Sequence, residues 1–152
     1  MHEAHLLRKV VALDRSNRAV IVDSITQIGP EDAGAIIVAA SHGGVSSGEF
    51  ALAVPLSAAF FNDAGIGKDD AGIAALQMLD ARGVAAGAVS HATARIGDAQ
   101  DMWNHGVLSR VNACARRLGL APGDRLQSAL QTLAQAISRG TPGSPRPASR
   151  RS

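Results

Sequence analysis

Short apolar runs of strand length alternate along this chain with stretches whose apolar residues recur at helical spacing. Residues 35–40 (AIIVAA) form a continuous apolar run, the mark of a strand buried on both faces. Residues 57–61 (SAAFF) and 84–90 (VAAGAVS) predict two more short strands. Between them, residues 69–82 open with Asp69 and Asp70, and Gly83 follows, the start and stop signals of a helix. Ile73, Leu76 and Leu79 form its apolar stripe. Near the N-terminus, residues 6–13 (LLRKVVAL) fit helix or strand. DRSN then supplies turn chemistry and residues 19–25 (AVIVDSI) are β-rich, which predicts a hairpin across 10–25. GPEDAG at 29–34 breaks the chain.

Farther on, Trp103, Val107, Val111, Cys114 and Leu118 predict one helix over about 99–118, closed by Gly119. A last helix is expected over 122–139, with Pro122 in its first turn and Leu126, Leu130, Leu133 and Ile137 on one side. That narrow stripe suits packing on the domain or on a second copy, so a homo-oligomer is expected. Strand–helix alternation from residue 35 predicts an α/β three-layer sandwich: a mostly parallel sheet of four to five strands with helices on both faces. No internal repeat or second domain is visible, and residues 1–139 read as a single domain.

Composition narrows the function. The 152 residues include one cysteine, Cys114, which excludes an internal disulfide or a cysteine zinc cluster. Aromatics make up 3%, too few for the stacking platforms that bind single-stranded nucleic acid. The net charge of +2 suggests a basic protein until the charges are located. Residues 140–152 (GTPGSPRPASRRS) carry Arg146, Arg150 and Arg151 and no acid, so the rest of the chain sits at −1. The expectation is a disordered basic tail on a domain that does not bind nucleic acid. No run approaches the roughly 18 apolar residues of a membrane span, and the first fifteen residues do not read as a secretory signal. The resulting expectation is a cytoplasmic protein without membrane contact.

The chemistry is expected where strands end. Each core strand runs straight into a polar, glycine-bearing segment: Ser41 to Glu49, Asn62 to Asp70, and His91 to Asp98, while the earlier strand ends in Asp23 and Ser24. In a parallel sheet the carboxyl ends share one edge, where ligands bind. Ser41-His42-Gly43-Gly44 places an imidazole beside glycines that let amides approach a ligand. Ser46 and Ser47 stand at a helix start, an anion-binding position. Asn62 and Asp63 mark the exit from the next strand, and Lys68 and Arg95 suit an anionic group. The plain structural alternatives are a turn role for His42, helix caps for Ser46, Ser47, Asp69 and Asp70, and an Arg95–Asp98 pair. His2, His5 and His105 read as surface residues.

A His-Gly step after a buried strand, with a polar step ending the next strand, resembles the layout of caspase-like cysteine peptidases. That family ends the second strand in its nucleophilic cysteine, where this chain has Asn62-Asp63-Ala64-Gly65, so the activity is not carried over. Neither a P-loop, a dinucleotide fingerprint nor a Gly-x-Ser-x-Gly elbow is present.

The expectation from these residues is a small-molecule enzyme, hydrolysing an amide or ester of a small anionic metabolite. His42 serves as general acid/base beside Asp63, with His91 and Ser41 completing the catalytic set. Gly43 and Gly44 supply oxyanion amides, and Ser46, Ser47, Asn62, Lys68 and Arg95 bind substrate. Lyase or isomerase chemistry needs the same parts without the serine. No cofactor is expected; a divalent metal would need these residues gathered by the fold, since none has helical ligand spacing. The alternative is a non-catalytic anion-binding or sensory module with the same pocket.

Overall fold

The computed structural model describes residues 6–64 and 73–139. Within them the protein is α/β, with one six-stranded sheet and five helices. The strands are β1 (Arg8–Ala12), β2 (Arg18–Val22), β3 (Ile36–His42), β4 (Ala58–Asn62), β5 (Ala85–Val89) and β6 (Leu108–Val111). They lie in the sheet in chain order. β2 to β5 are parallel, while β1 pairs antiparallel with β2 and β6 antiparallel with β5. The sheet is therefore mixed, with six strands, rather than mostly parallel with four to five. The two additional strands are the half-exposed edges, whose sequences lack the long apolar run of a central strand.

The helices are α1 (Val45–Leu52), α2 (Ala74–Asp80), α3 (Ala99–His105), α4 (Ala113–Arg117) and α5 (Leu126–Ser138). Alternate strand residues feed two separate apolar clusters. Ile21, Ile36, Val38 and Phe60 pack with Met102 of α3 and Leu126, Leu130 and Leu133 of α5. Val22, Ile37, Ala39 and Phe61 pack with Ala51 of α1 and Leu76 and Leu79 of α2. The period-2 alternation of side chains along a strand divides one run between two cores.

Two expected helices differ. The helix expected over 99–118 is three elements: α3, then β6, then α4. Gly106 ends α3, its N–H bonded to Met102 O at 2.8 Å, and Asn112 caps α4 by accepting from the Ala115 amide at 2.9 Å. Within β6 only Leu108 is buried, and Val107 and Val111 of the expected stripe are half-buried. The last helix begins at Leu126, not Pro122, with Arg125 as its N-cap. Its stripe of Leu126, Leu130 and Leu133 is fully buried in the chain's own core, with Ile137 packed against it, which leaves the expected oligomer no exposed stripe on that helix. The expected tail, residues 140–152, lies outside the described residues, as do Lys68, Asp69 and Asp70. No helix of the described residues is long and apolar enough to cross a membrane.

Candidate functional site

The carboxyl ends of β2 and β3 open into a cleft of about 660 Å³. Its polar wall comes from Asp23, Ser24 and Thr26 after β2, Ser41 and His42 ending β3, and Ser46 and Ser47 in α1. The pairing of β3 with β4 explains how His42 is aimed. Val38 pairs with Phe60, but the next pair is His42 with Asn62, so β3 carries extra residues before His42. Such a bulge bends the strand and re-aims the side chain that follows it. Among the described residues the His42 ring makes no hydrogen bond, so its nitrogens are not used in holding the fold.

Around His42 most other groups are committed. Asp23 accepts from the Leu7 amide at 2.7 Å and the Ala99 amide at 2.9 Å, tying the N-terminal segment to α3. Ser41 Oγ accepts from the Ile25 amide at 2.8 Å, which leaves its own proton available. Ser47 Oγ donates to the carbonyl of His42. The N-cap of α1 is Gly44, without any side-chain cap, so Ser46 and Ser47 lie inside the first turn and do not cap it. Among the described residues no side chain accepts from the first-turn amides of α1. Gly43 does not supply an oxyanion amide: its N–H is bonded to Asn62 O at 3.2 Å. Gly97 closes the cleft from the far side, at φ +82° with its N–H on Ala40 O at 2.8 Å, a left-handed turn that favours glycine.

A second cluster lies one strand further on. Asp63, directly after β4, is buried, and its Oδ1 stands 3.2 Å from His91 Nδ1 and accepts the His91 amide at 3.1 Å. Ser109 of β6 donates to Asp63 Oδ2 at 2.6 Å. Here too the sheet register breaks, between Ala88 and Val89, opposite Ser109. A carboxylate can only accept, so Nδ1 of His91 carries the hydrogen and Nε2 keeps its lone pair when the ring is neutral. The side chains differ sharply in exposure, 4% for Asp63 and 59% for His91, so the ring is anchored inside and open to solvent outside. Ala64, next in the chain, is strained at φ +49°, with its amide held by Asn62 Oδ1 at 2.7 Å.

The sequence-predicted residues thus divide. His42, Ser41, Gly44, Ser46 and Ser47 line the cleft, whereas Asp63, His91 and Arg95 do not. Asp63 partners His91 and Ser109, not His42. Asn62 is fully buried and structural, donating to Ala94 O at 2.9 Å. Arg95 is no anion clamp in the cleft; its side chain is 83% exposed, 3.7 Å from Asp101. Asp101, not Asp98, is its partner, because Asp98 caps α3 by accepting the Asp101 amide. The Arg95 amide, then His105, hold Asp101 below the usual carboxylate range. Cys114 lies buried at the start of α4, its thiol pushed up by burial and then by Asp80.

Asp23 and Ser24 were legible in sequence as the polar exit of β2, by the rule that found the other loops, whereas Thr26, which also lines the cleft, was not singled out. Ser109 was hidden inside the wrongly continuous helix. Among the described residues, no three or more His, Cys, Asp or Glu side chains gather in a metal-binding group. Compared with models of known protein families, with curated proteins and with solved structures, the chain matches none.

Proposed function

We propose that the protein is a small-molecule enzyme that works in the cleft at the ends of β2 and β3, with His42 as its general acid/base. One observation carries this reading: an imidazole without a structural hydrogen bond lines a cleft of small-molecule size just after a strand bulge. The reaction proposed first is hydrolysis of an ester or amide. His42 takes the proton of an attacking water and returns it to the leaving alcohol or amine. Gly44 and the first amides of α1 face the developing oxyanion, and Ser41 supplies a hydroxyl donor. Of the two cations expected to hold an anionic substrate, Arg95 lies against Asp101 and Lys68 lies outside the described residues. We read the sheet as covered by helices on both faces, a layering supported by the two apolar clusters.

The Asp63–His91 pair favours a second reading, in which His91 Nε2 is the base and the substrate crosses from the cleft. β3 and β5 are separated only by β4, so their ends lie about 10 Å apart, within the span of a small molecule. Turnover of p-nitrophenyl acetate separates the readings. His42→Ala is expected to lower kcat at least about 100-fold, with His91→Gln retaining most of it. Unchanged turnover in His42→Ala together with loss in His91→Gln moves the base to His91. Absence of turnover above free imidazole in the wild type leaves the non-catalytic binding module.

A further inference from the structure

Among the described residues, Leu6, Val10, Val45, Phe50 and Ile96 are the large hydrophobic side chains that stand exposed. Leu6 and Val10 lie at the β1 edge; the other three line the cleft that holds His42. Val45 and Phe50 project from α1, and Ile96 from the turn that Gly97 fixes to β3. Their exposures are 57%, 41% and 52%, high for apolar groups gathered around a concavity. A cleft of about 660 Å³ is the size that takes a small molecule rather than a protein surface. Among the described residues its lining holds neither lysine nor arginine, and both oxygens of its carboxylate, Asp23, already accept backbone amides. The wall left for a ligand is therefore apolar at the rim and hydroxyl- and imidazole-bearing at the floor.

We propose that the ligand of this cleft carries an uncharged apolar group, an alkyl or acyl chain of several carbons. That chain lies on Val45, Phe50 and Ile96, and the polar end of the ligand faces Ser41 and His42. The inference rests on reading the cleft as the substrate site. It stands or falls separately from catalysis, because it predicts binding of inert chains.

The probe is the series of straight-chain alcohols from ethanol to hexanol, titrated into the full chain and followed by methyl and amide NMR. The dissociation constant is expected to fall about fourfold per added methylene, with the shifts centred on Val45 and Ile96. Phe50→Ser and Ile96→Ser should each flatten that dependence. Both residues are exposed, so the amide spectrum away from the cleft should stay unchanged and report an intact fold. A dissociation constant independent of chain length overturns the proposal, as do shifts centred elsewhere or variants that bind like the wild type. A steep series in a protein that turns over no ester supports the apolar seat and removes only the catalytic reading. A flat series beside His42-dependent turnover removes only the seat.

Discussion

Two histidines end neighbouring regions of the same sheet edge, and their surroundings make them different instruments. His91 is bound through Nδ1 to a buried carboxylate, itself held by Ser109, whereas the His42 ring has no such partner. Ser109→Ala removes a hydrogen bond from a buried charged group and should lower stability by about 2 kcal/mol, read from urea denaturation. The same arithmetic applies to Asn112, a buried amide whose Oδ1 accepts from Ala86 and Ala115 and whose Nδ2 donates to Leu76 and Val84. Asn112→Ala removes the partner of four backbone groups, in α2, in and just before β5, and in α4, and a loss of about 3 kcal/mol is expected in the same measurement. These histidine and amide residue types were readable from the sequence, but their partners were not. Asp63 lies one step past β4, and only the register of β5 and β6 brings His91 and Ser109 to it.

Individual elements are secured by a few contacts that the hydrophobic pattern does not encode. β1 is the exposed edge, and Arg8 holds it to the short 3-10 turn Pro30–Asp32 by bonding both oxygens of the buried Asp32, at 3.2 and 2.7 Å. Burial alone would raise the Asp32 carboxyl; the Arg8 guanidinium and the Gly29 amide outweigh it, and the net shift is downward. A depressed carboxylate adds stability that is full above its unfolded value of about 3.9 and is lost as pH falls through the lower folded value. Stability should therefore drop on acidification below about pH 4, and the drop should be smaller in Asp32→Asn, measured by denaturant titration across pH. α1 and α2 meet at Gly48, where an added Cβ would stand 2.6 Å from Met78 Sδ and 3.2 Å from Ala75 Cα. Gly48→Val is expected to cost about 2 kcal/mol and to displace the helix that carries Ser46 and Ser47, read as a lower Tm. The helix expected over 99–118 shows the reverse case. Its spacing was helical, but Gly106 and Asn112 are a stop and a cap, and they outvoted the apolar count.

At the level of the whole molecule, the sheet in chain order fixes where chemistry is possible. Because β2 to β5 all point the same way, the loops after them share one edge, and the cleft and the Asp63–His91 pair both lie there. Burial of the α5 stripe makes Leu126, Leu130 and Leu133 part of the chain's own core. Leu130→Ala should thus lower stability by about 3 kcal/mol. The shift should be the same at low and high protein concentration, since no subunit contact is lost through it. A concentration-dependent Tm shift in that variant would return α5 to an interface.

The order of apolar runs and polar exits already determined an α/β chain, the places of β2 to β5, and the edge on which ligands are proposed to bind. These features are local: a strand's burial and the glycine that follows it are written within a few residues of each other. Which carboxylate meets which imidazole was decided only by the tertiary structure, as was the commitment of the Gly43 amide to Asn62 and the split of one expected helix into three elements. Those outcomes depend on strand register and on two bulges, and register is set by partners far away in the chain.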